Sequence, residues 1–253
     1  MQISNHNYES ERPVLQRFYS IYLICLTAIT APFFFLVSCL IWLLTVSWDK
    51  QLKYVHYLTS FWAKLIMTLS PCWHYKVFHR ERFKTDQPYI IVSNHQSGID
   101  ILLAYALNAP FKWLSKIEVF KIPFIGWNMY LNRYIGLKRG DRRSVAEMSA
   151  AVSWHLKNGS SVYMFPEGSR SQTGELHAFK NGAFAMAKHN HVGIIPVVIR
   201  GTSQALPKNS LKLGRADMSL EVLPVIDAQT VDEQTTTELC KYVEQLFKEA
   251  LNN

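Results

Sequence analysis

The chain of 253 residues is short of acidic groups, 19 Asp and Glu against 27 Lys and Arg, and charged side chains make up only 18% of it. The resulting net charge of +8 favours an anionic partner, whether nucleic acid, phospholipid headgroups or a phosphorylated substrate. Glycine and proline number 11 and 10, too few for a collagen-like or linker-like chain. Cysteine is scarce as well. Cys25, Cys39, Cys72 and Cys240 have neither the C-x-x-C spacing of a zinc site nor the density of a disulfide scaffold, so reduced thiols are expected. The chain contains no G-x-S-x-G, no G-x-x-x-x-G-K-[ST] and no G-x-G-x-x-G. A serine hydrolase and a nucleotide-binding enzyme therefore lack their usual supports. What remains is a chain 49% apolar and 13% aromatic, rich enough to enclose a core.

Charge is missing altogether from Phe18 to Trp48, between Arg12 and Arg17 on one side and Asp49, Lys50 and Lys53 on the other. A membrane-embedded segment is the direct reading. As one helix this run measures about 46 Å against a hydrocarbon thickness of roughly 30 Å, so it must tilt, overhang or bend, with Pro32 the natural kink. It is about twice the apolar length of a signal peptide. A second stretch, Leu58 to Trp73, is interrupted by Lys64 and carries Phe61, Trp62, Leu65, Ile66 and Leu69 at helical spacing. An amphipathic helix at the bilayer surface fits it. Lys50, Lys53, Lys64, Lys76, Arg80, Arg82 and Lys84 crowd the same region, which by the positive-inside rule keeps the rest of the chain in the cytoplasm. The segment thus selects a phospholipid bilayer, and no nucleic acid, as the anionic partner. Residues 1–84 are expected to form membrane-anchoring helices and residues 85–253 an α/β domain.

Beyond residue 85, short β-branched runs alternate with helical patterns. Strands are expected at Tyr89 to Ser93, Phe111 to Lys116, Tyr134 to Lys138, Ser161 to Phe165, Ile194 to Arg200 and, near an edge, Leu220 to Ile226. Helices are expected at Ile99 to Leu107, from a Ser144–Glu147 capping box to Asn158, at Phe179 to His189, and after a Thr235–Glu238 cap. Alternation of this kind predicts an α/β fold, a mixed and largely parallel sheet flanked by helices.

The first strand feeds Asn94-His95-Gln96-Ser97-Gly98-Ile99-Asp100, with His95 in a strand-to-helix loop and Asp100 in the first helical turn. If Asp100 accepts from one imidazole nitrogen, the other is left free to remove a proton from a hydroxyl. Taken alone, such spacing also arises by chance, and Asp100 doubles as a helix-start charge. A second constellation, Phe165-Pro166-Glu167-Gly168-Ser169-Arg170, ends a strand. Gly168 lets backbone approach a ligand, Arg170 can grip a phosphate, and Glu167 can receive a hydroxyl or orient the arginine. An ordinary turn with an exposed ion pair is the bland alternative. Between them lies the cluster Leu137-Lys138-Arg139-Gly140-Asp141-Arg142-Arg143, with Lys112 and Lys116 upstream. Basic patches at strand ends suggest a phosphate site.

These blocks, with Phe124-Ile125-Gly126-Trp127 and Ile195-Pro196-Val197, resemble in order the four blocks of the glycerolipid acyltransferases, nearest the 1-acylglycerol-3-phosphate acyltransferases. The resemblance covers roughly residues 85 to 205. It implies His95 as general base with Asp100 orienting it, Arg139 as a phosphate contact, Glu167, Gly168 and Arg170 as acceptor-binding residues, and Pro196 on the acyl-donor side. Lys116 and Lys180 are added from charge alone. Lys138 departs from the apolar-acidic-Arg triplet common in the second block, which bears on the acceptor headgroup. The implied reaction moves a fatty acyl group from acyl-CoA or acyl-carrier protein to the free hydroxyl of a lysophospholipid, foremost 1-acyl-sn-glycerol-3-phosphate, with no metal and no other cofactor. A different lysophospholipid acceptor, or a noncatalytic membrane lipid-binding protein, are the alternatives. His189 and His191 alone do not make a metal site.

Overall fold

The structure is a computed structural model that describes residues 13–171, 174–207 and 212–252. Arg12, one flank of the uncharged run, lies outside them. The chain opens with two helices, α1 (Pro13–Thr45) and α2 (Lys53–Leu69). It continues through β1 (Trp73–Phe78), β2 (Ile90–Ser93), α3 (Ile99–Ala104), β3 (Phe111–Lys116), α4 (Ile125–Leu131), β4 (Ile135–Leu137), α5 (Arg142–Lys157) and β5 (Ser161–Met164). Then follow α6 (Gly182–His189), β6 (Ile194–Arg200), α7 (Thr202–Ala205), β7 (Ala216–Val222), α8 (Ala228–Glu233) and α9 (Thr236–Asn252).

The strands form one sheet in the order β1-β7-β6-β2-β5-β3-β4, parallel throughout except where β7 runs against β6. The mixed, largely parallel sheet expected from the alternating pattern is the one observed. Its central strands are buried on both faces, as continuous runs such as Ile90-Ile91-Val92 require. One face carries a core of Ile91, Leu103, Phe111, Tyr163 and Ile195 beneath α2 and α3, and the other a core of Ile90, Val152, Val162, Phe184 and Phe247 beneath α5, α6 and α9.

Three expectations need correcting. The α/β sheet begins at Trp73, upstream of the boundary at residue 85, because β1 pairs in register with β7 from Trp73 opposite Ala216 to Phe78 opposite Glu221. As an edge strand it alternates between inward Trp73, Tyr75 and Val77 and exposed His74, Lys76 and Phe78, so its polar half resembles an anchor's basic flank. It also covers β7, which starts at Ala216 and ends before Pro224. The cap of α5 is Asp141, whose carboxylate accepts from the N–H groups of Arg143 and Ser144, while Glu147 instead takes Arg143 Nε at 2.9 Å. The Thr235–Glu238 capping box on α9 forms reciprocally as expected.

The helix α1 passes through Pro32 as one continuous element and folds back along α2. The hairpin is fastened by Tyr22 Oη donating to Leu69 O (3.3 Å), Trp62 Nε1 donating to Thr30 Oγ1 (3.0 Å) and Phe34 stacking on Trp62 at 5.8 Å. From the α1 side, Ser20 Oγ accepts the Leu213 N–H at 2.9 Å, tying the helix to the sheet end of the molecule. The stripe anticipated on α2 divides. Ile66 turns into the core with Val55, Ala63 and Met67, while Phe61 and Leu69 stay exposed, so α2 is apolar on two sides and packs with one of them.

Candidate active site

Parallel strands deliver their carboxyl ends to one edge of the sheet, and in open α/β sheets ligands bind there. His95 follows β2, Lys116 ends β3, Arg139 follows β4, Glu167, Gly168 and Arg170 follow β5, and Thr202 follows β6.

The His95 and Asp100 side chains meet as the spacing suggested, with Nδ1 2.7 Å from Oδ2. Asp100 is fully buried. Its Oδ2 also accepts the N–H groups of Gln96 (2.7 Å) and Ser97 (2.8 Å), and its Oδ1 accepts the Thr202 hydroxyl. Every neighbour is a donor, so Nδ1 carries the imidazole proton and Nε2 presents its lone pair. The ring lies flat on Phe165, centroids 3.9 Å apart and planes 14° from parallel. This packing on one side and the carboxylate on the other leave it one orientation.

The loop carrying His95 is held by its neighbours. Asn94 exchanges two 2.8 Å bonds with the backbone of Ile199, Ser97 Oγ donates to Leu206 O, and Ser171 N–H donates to His95 O. Glu167 belongs to this scaffold. One of its oxygens accepts the His95 N–H at 2.7 Å and the other the His177 N–H at 3.2 Å. Its carboxyl is absent from the wall of the cavity described next. Each oxygen thus holds a backbone N–H, a positioning role beside the acceptor contact that the resemblance implies. Burial, with the Asp100 charge as a smaller cause, raises its pKa to about 7 against the pull of those two N–H groups.

In front of His95 opens a cavity of about 640 Å³. Gly98, Lys116, Arg139, Gly168, Ser169 and Arg170 line it together with His95, so the other expected site residues converge. Gly168 has φ +73°, and a Cβ there would come within 3.0 Å of Lys180 Nζ, so the turn requires glycine and keeps Lys180 beside the rim. The Arg170 guanidinium lies 3.9 Å from where a Cβ on Gly98 would stand, so the first and third blocks adjoin. Away from these cations the wall is apolar, with Trp62, Ala63, Ile66, Leu102 and Met129 drawn from α2, α3 and α4.

Lys112 does not join the rim. It is buried, and its Nζ donates to Gln51 O (2.7 Å) and Asn132 O (2.9 Å), fastening the α1–α2 linker, while burial lowers its pKa to about 7. Pro196 sits inside the sheet opposite Val92, away from the cavity. Thr202 and Phe165 escaped sequence reasoning as partners of the dyad. The hydroxyl of Thr202 meets Asp100 across 102 residues, a contact to which no local pattern points.

An imidazole with its Nε2 lone pair free thus stands between a cationic rim and a largely apolar recess. The chain belongs to the Acyltransferase family, whose model matches residues 74–200. It is similar to a chloroplastic 1-acyl-sn-glycerol-3-phosphate acyltransferase of Arabidopsis thaliana, 37% identical over 62% of this chain and 44% of the relative. It is 30% identical to the enzyme of that name from Saccharomyces cerevisiae, over 65% of this chain and 56% of the relative. The chain spans about half the length of the curated relatives it matches. The crystal structure of the 1-acyl-sn-glycerophosphate acyltransferase from Thermotoga maritima superposes with a TM-score of 0.82 at 25% identity, covering 96% of this chain and 97% of that one.

Proposed function

We propose that the protein acylates 1-acyl-sn-glycerol-3-phosphate at its free hydroxyl, giving phosphatidic acid. The observation that carries the reading is the Nε2 lone pair of His95, oriented by Asp100 toward a cavity with a cationic rim and an apolar wall. The acceptor's phosphate is drawn to Arg139, Arg170 and Lys116, which brings its hydroxyl to His95. Nε2 takes the hydroxyl proton as the oxygen attacks the thioester carbonyl of acyl-CoA or acyl-carrier protein. The carbon–sulfur bond breaks, the thiolate leaves, and the imidazolium returns the proton to it. No acyl-enzyme forms in this scheme. Glu167 acts through the backbone of His95 as a positioning residue. The donor chain lies along Ala63, Ile66, Leu102 and Met129.

The same reading makes α1 a membrane contact. It is long and apolar enough to cross a bilayer, and Ile21, Ile29, Phe33, Leu36, Leu40 and Leu43 are exposed along it. Because its other side is packed on α2 and bonded near residue 213, we favour a helix lying in one leaflet with the sheet on the cytoplasmic side.

The test is an assay of the purified chain in detergent, offering lysophosphatidic acid and other lysophospholipids with one acyl-CoA. Phosphatidic acid is the expected product, and His95→Ala is expected to lower turnover by roughly 10³-fold at an unchanged melting temperature. Equal turnover by the variant, or free fatty acid as the product, rejects the reading. Membrane association with no transfer to any acceptor would favour a lipid-binding protein.

A further inference from the structure

His95 changes charge during the proposed reaction. When Nε2 takes the acceptor's proton, the imidazole becomes a cation beside a cavity that already holds Lys116, Arg139 and Arg170. Like charges in a largely apolar setting repel, and the repulsion grows as the proton moves, so it adds to the barrier. Asp100 offsets part of it through Nδ1, but its carboxylate is shared with the N–H groups of Gln96 and Ser97 and with the Thr202 hydroxyl. A second carboxylate against the ring would repel the acceptor's phosphate as well. A group that holds a cation without carrying net charge avoids this conflict.

Phe165 is such a group. Its ring stacks on the imidazole with centroids 3.9 Å apart and planes 14° from parallel, so the imidazole lies over the electron-rich face of the phenyl ring and not at its edge. The His95 side chain is only 15% exposed, which limits screening by water. The phenyl ring is itself held. Trp113 lies 5.6 Å from it and 20° from parallel, Tyr163 meets it at 5.6 Å, and both of these rings are buried. Two positions further along the chain, Glu167 bonds the His95 N–H, so one short segment carries both the phenyl ring and a clamp on the base. We propose that Phe165 acts through His95, the face of its ring stabilising the imidazolium that forms when the acceptor's hydroxyl gives up its proton. This rests on the acyltransferase reading above. A neutral imidazole gains less from the same face, so the contact favours the transition state over the ground state. The effect belongs to the π electrons and is separable from packing, which any apolar side chain of that shape would supply.

The experiment replaces Phe165 in the full chain with phenylalanines of increasing ring fluorination, which withdraw density from the ring face while nearly keeping its shape. Steady-state kinetics use lysophosphatidic acid and one acyl-CoA in detergent. kcat is expected to fall stepwise with fluorine content, to about a tenth for the fully fluorinated ring, while KM for lysophosphatidic acid stays within about twofold. The same series at Phe184, in the core on the opposite face of the sheet, is expected to leave kcat unchanged, and melting temperatures report that both sets fold. A second readout needs no turnover. Carbethoxylation of His95 by diethyl pyrocarbonate also puts positive charge on the ring, and its rate, followed at that residue by mass spectrometry, is expected to fall in the same order. Wild-type protein that transfers to no acceptor overturns the acyltransferase reading, and the order of carbethoxylation rates then decides this inference. A kcat independent of fluorine content, a carbethoxylation rate independent of it, or a fall that the Phe184 series reproduces overturns it.

Discussion

The two ends of the cavity are built on opposite rules. At the strand ends, Asp100 and Glu167 are surrounded by donors, and between them they take the His95 side chain, four backbone N–H groups and the Thr202 hydroxyl. At the helical end most contacts are apolar, the hydrogen bonds such as Trp62 Nε1 to Thr30 Oγ1 and Asn128 Nδ2 to Thr59 Oγ1 join helix to helix, and α1 leaves its outer face uncovered. Directional bonds fix an imidazole to within the tolerance that proton transfer demands. Hydrocarbon walls fix little beyond volume, which suits a ligand with many conformations. The contrast teaches that this protein concentrates its directional precision at the His95 end of the cavity.

Removing direction from the polar end should have the largest consequence. Asp100→Asn places an amide N–H among groups that are themselves donors, so the His95 tautomer is no longer enforced. Turnover is expected to fall roughly 10³-fold with a much smaller change in KM, as measured by steady-state kinetics on micellar substrate. A loss confined to KM would show that the pair merely binds.

Glu167 gives the next largest effect, and it is read through pH. Its folded pKa of about 7 lies above the ordinary 4.5, so between those values the folded state holds a proton that the unfolded chain has released. Its contribution to stability is fully present below about pH 4.5 and is lost as pH rises through about 7, on the order of 3 kcal/mol. Denaturant titrations across that window should slope downward in the wild type relative to Glu167→Gln. Parallel slopes would place the carboxyl in a more solvated setting.

At the apolar end, Ile29→Glu with Phe33→Glu, on side chains 75% and 62% exposed, should weaken vesicle binding about 100-fold. Turnover on micellar substrate should fall far less. Equal losses in sedimentation and micellar turnover would mean that this face supports the fold instead.

The smallest effect tests the reach of the polar network. Thr202→Val removes one donor from Asp100 and loosens the carboxylate that orients His95. Turnover should fall about 10-fold with little change in KM, and Thr202→Ser should restore it. A stability loss with turnover unchanged would reduce Thr202 to packing.

Local pattern made much of this legible. Apolar runs of strand length bounded by helical periodicity gave β2, β3, β5 and β6 nearly in place, since buried parallel strands carry their own signature. His95 and Asp100 were legible because a five-residue loop confines both to one turn. Lys112 and Lys116 looked alike in the sequence, yet one is buried under the α1–α2 linker and the other lines the cavity. Charge in a string does not say which way a side chain faces. The edge strand β1 was hidden because half of it is solvated.

Residue order alone therefore determined the buried central strands, the dyad, most of the basic rim and an apolar amino-terminal helix, all of which depend on neighbours within a few positions. Tertiary structure decided that Glu167 holds the His95 backbone, that Thr202 completes the shell of Asp100, and that Asn128 on α4 bonds Thr59 on α2. Those contacts join residues about 70 to 100 positions apart along the chain. Hydrogen bonds act over only about 3 Å, and folding alone brings such distant groups that close.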